Sequence, residues 1–322
     1  MACLLIEQPC RARRGRMSSP RYTIHIYNYH PDDILHLAVH ADRLGFEALW
    51  AGEHYILPQS YSGEHPSEAA DGAAHKALTA NVLGPHVRIY DPWFLLGMVA
   101  GATKWLKIGT AIVIVPLNNP LLLARHTVTA HDLSGGRFML GTGAGWLREE
   151  FDAVGIPFEQ RGSRLDETIE ILRKAWAGGY FGHEGRHFRF DPVQISSHPV
   201  DVPIICGGNS GPALRRVARV ADAWINSANI TLDQARRLRE TIVAEREAQG
   251  SAGRPFRYYV KPFHNADVPG FIDAGFEDIV LWGPNVWSDD PAVPLDQKIR
   301  QLESVAAELG IRAPADRQGD SQ

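Results

Sequence analysis

Leu106-Lys107-Ile108-Gly109-Thr110-Ala111-Ile112-Val113-Ile114-Val115 is a β-branched run closed by Pro116. A helical stretch, Leu121–Leu133, follows it, and a glycine turn then leads into a second apolar run, Phe138–Thr142. Strand, helix, strand in this order is a βαβ unit, which calls for a parallel sheet with helices on its faces.

Working outward from this unit, the alternation persists. Toward the N-terminus stand the strand-like segments Tyr22–Asn28 and Glu47–Ala51, separated by a helical Pro31–Leu44, with Pro92–Thr103 helical before the central unit. Toward the C-terminus the pattern gives strands at Val202–Cys206, Ala223–Ser227, Phe256–Val260 and Asp278–Trp282. Helices are expected at Arg164–Trp176, Pro212–Val220, Leu232–Ala248 and Leu295–Leu309. Leu165, Ile169, Leu172 and Trp176 form the buried stripe of the first of these, and Ser163 with Asp166 reads as its capping box. Eight βα units predict an α/β fold, a closed (β/α)8 TIM barrel, with a doubly wound open sheet as the alternative. Two irregularities stand out. A long insertion rich in Gly, Pro, Ser and His, Tyr55–Tyr90, follows strand two, and the region before strand eight, Pro262–Glu277, is short enough for only a stub of helix.

Composition bounds the rest. The 322 residues are 44% hydrophobic, and 33 Lys and Arg against 37 Asp and Glu give a net charge of −4, which argues against a nucleic-acid partner. Three cysteines make no disulfide framework, so a cytoplasmic protein is expected. The longest uncharged run, Ile108–Ala124, is broken by Pro116, Asn118, Asn119 and Pro120, so no membrane span is expected. Arg11, Arg13, Arg14 and Arg16 follow the short apolar patch at the N-terminus, the reverse of a signal peptide. Residues 1–16 are therefore expected to be a disordered extension, 17–313 a single barrel domain and 314–322 a frayed tail, with Met17 as the start of the patterned sequence.

Barrel enzymes carry their chemistry at the carboxyl ends of the strands. Strand two ends in Gly52-Glu53-His54, an imidazole beside a carboxylate, which can serve as general acid or base or simply as a structural histidine. Strand four runs into Gly143-Ala144-Gly145-Trp146, where glycines permit close approach to a flat or phosphorylated ligand. It is not a dinucleotide fingerprint, because Trp146 stands where the third glycine belongs. Strand five opens through Gly207-Gly208-Asn209-Ser210-Gly211 onto a helix whose free N–H groups, with Arg215 or Arg216, suit a phosphate, although a plain tight turn would read alike. Glu149 and Glu150 are adjacent on a helix and point apart, which excludes a carboxylate dyad. No Cys pair has zinc spacing, His36 and His40 lack the intervening glutamate of a zinc helix, and no metal site is expected. Residue patterning thus reaches a barrel that binds a phosphorylated, planar ligand together with a small-molecule substrate.

The stretch Leu133-Ser134-Gly135-Gly136-Arg137-Phe138-Met139-Leu140-Gly141, continuing through Gly145-Trp146 to Glu149-Glu150-Phe151, resembles the luciferase-like monooxygenase superfamily. Gly155, Pro157-Phe158, Arg161 and Arg164-Leu165-Asp166-Glu167 follow in the family's order. Pro203-Ile204-Ile205 through Gly207-Gly208, with Arg215-Arg216 and Ala221-Asp222-Ala223-Trp224, is a second match. The resemblance extends over Tyr22–Leu309, and Trp50–His54 with Asp91-Pro92 looks most like the branch using coenzyme F-420, an 8-hydroxy-5-deazaflavin.

That resemblance implies hydride transfer between the deazaflavin and an organic substrate. The alternatives it leaves are an FMN-dependent monooxygenase and a non-catalytic flavin-binding protein. It further implies His54 as the acid/base group with Glu53 beside it, and a non-prolyl cis peptide at Ala111-Ile112. Gly143, Ala144, Gly145 and Trp146 would line the ring, and Gly207, Gly208, Asn209, Ser210 and Gly211 with Arg215 would take the phosphate. Ala111-Ile112 replaces the Gly-Val of many relatives, which narrows the space behind the ring, and Trp146 stands where some sugar-phosphate dehydrogenases are acidic. Relatives commonly form homodimers through their outer helices.

Overall fold

The computed structural model describes residues 19–27, 29–62 and 87–314. The expectations for residues 1–16, for Met17, for the tail beyond Pro314 and for most of the Tyr55–Tyr90 insertion lie outside them. Eight parallel strand positions close into a barrel. They are β1 (Arg21–Ile26), β2 (Ala48–Ala51), β3 (Lys107–Thr110) continued by β4 (Val113–Ile114), and β5 (Phe138–Gly143). After them come β8 (Ile204–Gly207), β9 (Ala223–Ile225), β10 (Arg257–Val260) and β11 (Asp278–Trp282). Hydrogen bonding runs β3-β2-β1-β11-β10-β9-β8-β5, and a β3–β5 pairing shuts the ring. The open-sheet alternative is thereby excluded.

The period of two along each strand sorts the core into two compartments. Tyr22, Ile24 and Ile26 of β1 face outward and join the large cluster shared with the surrounding helices. Inside the barrel Trp50, Met139, Ile205, Ile225, Tyr259 and Val280 pack with Ala111 and Ile112. The amino-terminal end of the barrel is closed by charge. Arg21 Nε donates to Asp278 at 2.6 Å, Arg257 Nε donates to the same carboxylate at 3.0 Å, and Lys107 Nζ lies 2.7 Å from Glu47. Burial pushes the Asp278 carboxyl up, but the bonds from Arg257 and Arg21 outweigh it and hold the group below the usual carboxylate range.

Local connections explain why the chain turns where it does. Asp91 accepts from the Trp93 and Phe94 amides and caps the helix Pro92–Ala102. Asp42, at the end of the helix Pro31–Leu44, accepts from the amides of Lys104, Trp105 and Leu106 at 2.6–2.8 Å and so aims the chain into β3. Arg137 donates to the carbonyls of Ala100, Leu106 and Ser134. The Ser134–Arg137 part of the distinctive motif therefore works at the amino-terminal end of the barrel, away from the mouth.

Several details differ from the sequence reading. The expected continuous third strand is interrupted at the cis Ala111-Ile112 bond. The helix expected from Arg164 begins at Arg161, so Ser163 lies inside it and donates to the Gln160 carbonyl instead of capping. Asp166 pairs with Arg216 and Arg219. Between that helix and β8 stands an unanticipated antiparallel hairpin, β6 (Tyr180–Glu184) and β7 (Arg189–Gln194), outside the barrel. The stub before strand eight is the six-residue helix Val268–Asp273. No helix among the described residues is long and apolar enough to cross a membrane.

Candidate active site

The carboxyl ends of the strands gather the predicted residues at one mouth, but they sort them differently from expectation. Glu53 and His54, adjacent in sequence, face separate partners, as neighbours in an extended segment do. Glu53 Oε2 accepts from the Ile114 amide at 2.7 Å, pinning the strand-two end to the far side of the cis bond. His54 Nδ1 instead donates to Glu150 Oε1 at 3.1 Å. That same oxygen accepts from the Tyr55 amide at 2.7 Å. The Glu53–His54 pair implied by the resemblance is thus replaced by a His54–Glu150 pair.

Burial makes this pair consequential. The Glu150 side chain is fully buried and that of His54 is 8% exposed. Two donors converge on Glu150 Oε1, so His54 carries its hydrogen on Nδ1 and Nε2 is the nitrogen left to accept or deliver a proton. The imidazole is further held between aromatic edges, with the Tyr27 ring centroid at 5.7 Å and that of Trp146 at 6.2 Å. Glu53 behaves otherwise. Glu53 is half-buried, and the enclosure of its carboxyl drives it up to about 8 against the opposing pull of the Ile114 amide, with Asp91 and Glu150 adding repulsion. It is a neutral acid near pH 7.

Glu150 escaped the sequence reading because its partner lies 96 residues away. The available signal was position. Glu149 and Glu150 sit in the first turn of the helix Arg148–Ala153, directly after the glycine-rich end of β5, where a helix start favours carboxylates. They do point apart, as expected, and each takes its own piece of the loop after β2. Glu149 Oε1 accepts from the Ser62 amide and hydroxyl at 2.8 and 2.9 Å.

Ala111, Ile112, Ala144, Gly145 and Trp146 are half-buried at the mouth, and Gly143 is buried. The glycines have a more specific reason than open access. A Cβ on Gly143 would meet Ile112 Cδ1, and a Cβ on Gly207 would lie 2.9 Å from Ile112 Cγ2. Both glycines therefore make room for the Ile112 side chain, which fills the space behind the mouth. Gly145, with φ of +79°, turns the chain past Ile114 and Phe151.

The strand-five loop is ordered by its own contacts. Gly208, at φ +122°, gives its carbonyl to the Trp224 indole N–H at 2.8 Å, and the Asn209 side-chain oxygen accepts from the Ser227 amide. Ser210 is the N-cap of the helix Gly211–Val220, though its side chain makes no capping bond. Arg216 is committed to Asp166 and Gly162, whereas Arg215 is exposed beside Gly211. Of the two arginines considered, Arg215 is the one at the loop's disposal. Cys206 is buried below this loop, its thiol pushed up to about 11 by burial, and is no nucleophile.

Deeper in the mouth are polar groups that sequence reasoning passed over. His25 is buried beside the Ala111 backbone, and among the described residues its ring nitrogens, the Tyr27 hydroxyl and Glu150 Oε2 have no partner at hydrogen-bond distance. No cluster of potential metal ligands occurs among the described residues. A groove of about 870 Å³ lined by Glu167, Arg173, His183, Arg219 and Asp222 lies on the outer wall beside the hairpin. Its charges are largely paired with one another, which makes it a solvated ionic surface.

Comparison with known proteins adds independent findings. The family model described as luciferase-like monooxygenase matches residues 10–266. An uncharacterized protein of Mycobacterium tuberculosis is 32% identical over 219 residues, covering 66% of this chain and 75% of that protein. An F-420-dependent glucose-6-phosphate dehydrogenase of Nakamurella multipartita is 28% identical, covering 62% of this chain but only 52% of that protein, so the chain spans about half of its length. Among solved structures, a monooxygenase from Streptomyces bottropensis superposes with a TM-score of 0.67 at 19% identity, over 89% of this chain and 98% of that one. The coenzyme F-420-dependent tetrahydromethanopterin reductase of Methanopyrus kandleri gives 0.66 at 16%, over 90% and 98%. At such identities these two likenesses establish the shared barrel.

Proposed function

The chain belongs to the luciferase-like monooxygenase family, and on that premise we propose that it is an oxidoreductase passing a hydride between coenzyme F-420 and a small organic substrate. The observation that carries the reading is the buried His54–Glu150 pair at the carboxyl end of the barrel. An imidazole fixed by a fully buried carboxylate, with Nε2 free, is built to move one proton at a defined place. A protein that only bound a flavin would have no use for it.

The mouth fits a flat, phosphate-bearing cofactor. The loop Gly207–Gly211 ends on a helix start whose first-turn amides are free to meet a phosphate, with Arg215 beside them. The Tyr27 hydroxyl supplies a polar contact for a ring edge, and Ala111-Ile112 with Ala144, Gly145 and Trp146 supplies the walls. When bound, the deazaflavin supplies two-electron hydride chemistry. His54 Nε2 then holds or releases the proton exchanged with the substrate, and Glu150 keeps the ring in the required tautomer. Neutral Glu53 and the Ile112 side chain keep the floor of the mouth free of charge and water.

The test is direct. The purified protein is titrated with oxidised and reduced F-420 and with FMN, following fluorescence quenching. Binding of F-420 in preference to FMN is the expected result. Tight FMN binding with no F-420 response, accompanied by oxygen uptake with reduced FMN, would replace this reading by the FMN-dependent monooxygenase.

A further inference from the structure

Lys261 follows β10 directly, two residues beyond Tyr259, whose ring lies inside the barrel. The period of two therefore sends the Lys261 side chain inward as well. The residue is 6% exposed, and its amide is fixed by a bond to Asn226 Oδ1 at 2.9 Å. Its ammonium group has no ion pair and no hydrogen bond among the described residues. Burial alone brings the amine down to about 8, with no neighbouring carboxylate to oppose it. His25, 8% exposed, stands near enough for the Lys261 charge to disfavour its protonation, and the ring lies 5.2 Å from that of Trp282. Neither His25 nitrogen has a partner at hydrogen-bond distance among the described residues, although the Ala111 backbone lies close enough to favour the protonated ring. An ammonium and an imidazole side by side, with no carboxylate pairing the ammonium among the described residues, are the donors that an anion requires.

The position in the ring of strands selects the anion. Around the barrel the order β3-β2-β1-β11-β10 puts β10 four steps from β3 in a ring of eight, diametrically across from the Ala111-Ile112 wall. His54 follows β2, between them on the His25 side. A cofactor ring set against Ala111-Ile112 leaves the β10 side to the substrate. We infer that Lys261, with His25 beside it, seats a carboxylate of the substrate, so that the substrate is a small organic acid held between Lys261 and His54. This rests on the mouth being the reaction site proposed above. It names a specificity-determining residue and a substrate class.

Benzoate and its neutral isostere benzamide are the probes, each titrated with and without bound cofactor and read by tryptophan fluorescence and by thermal midpoint. Benzoate is expected to bind and to raise the midpoint, and benzamide to do neither at the same concentrations. Lys261→Met should weaken benzoate about tenfold or more, the scale of a lost charged hydrogen bond, while changing F-420 affinity by less than about twofold. The ligand-free midpoint of that variant should not fall, because an unpaired buried charge is being removed. His25→Asn, which retains polarity, should give a smaller loss and serves if the first variant misfolds. Equal response to the two probes overturns the inference. So does a Lys261→Met variant that loses cofactor binding and keeps benzoate, since the ammonium then serves the ring. Failure of the wild type to bind either F-420 or FMN would instead sink the proposed function, whereas the cofactor-free benzoate titration reads the carboxylate seat by itself.

Discussion

The two ends of the barrel treat charge in opposite ways. At the amino-terminal end Arg21, Arg257 and Asp278 form one network, with Lys107 and Glu47 alongside, and each charged group meets an opposite one. At the carboxyl end, among the described residues, Tyr27 and Glu150 keep bonding capacity unused, Lys261 lacks a counter-ion and Glu53 is neutralised by burial. The first arrangement serves folding alone. The second costs folding free energy and makes sense only when something else enters the mouth. Polar atoms without partners also occur away from the mouth, at Arg164, Thr168 and Arg246, so what distinguishes this end is their convergence with Lys261 and Glu53 on one opening; the outer-wall groove is roomy and its charges are largely paired.

Breaking each end should have contrasting results. The largest effect belongs to His54→Ala, expected to lower turnover about hundredfold or more while leaving denaturant stability within about 1 kcal/mol. Unchanged turnover with normal cofactor binding would remove His54 from the chemistry. Next comes Asp278→Ala, expected to cost about 3 kcal/mol or more by stranding two arginines at the closed end, measured by urea unfolding, with cofactor affinity of the folded fraction unaffected.

Glu53→Gln sharpens the contrast through pH. The folded carboxyl titrates near 8 against 4.5 unfolded, so the wild-type folded state binds the extra proton between those values. Wild-type stability from this group is full below pH 4.5 and declines as pH rises through 8. The glutamine variant should therefore gain on the wild type across that window, by about 4 kcal/mol at most by pH 8.5, and match it only near pH 4. A pH-independent difference would show that Glu53 ionises freely. Smallest is Ser62→Ala, an exposed contact to Glu149, expected to change stability by less than about 0.5 kcal/mol.

How much of this was legible in sequence follows the same division. The eight strands could be read because each is a short apolar run set between helices, and Gly-rich strand ends pointed to the carboxyl end of the barrel, where the structure gathers the candidate residues. The hairpin β6–β7 could not, since only Phe181 and His183 of β6 turn inward, too short an alternation to stand out as a strand. The break at Ala111-Ile112 has no signal in residue type, and only the family resemblance supplied it. His54 was identifiable by its place at a strand end. Its true partner was not, because Glu150 approaches through tertiary folding, and adjacency made Glu53 the more obvious choice. Lys261 and His25 were silent for a related reason: a buried lysine one step past a strand looks in sequence like any surface lysine.

The helix Arg148–Ala153 has a mechanical consequence. Its successive carboxylates grip the loop after β2 at two points, Glu150 at His54 and Tyr55 and Glu149 at Ser62, while the Tyr61 ring rests 5.8 Å from Trp146. Loop and helix are thus geared together. A substrate that displaces the loop must also turn the helix, and with it the carboxylate that aims the imidazole. On the proposed function, a ligand that moved this loop would be felt at His54 through the same carboxylates.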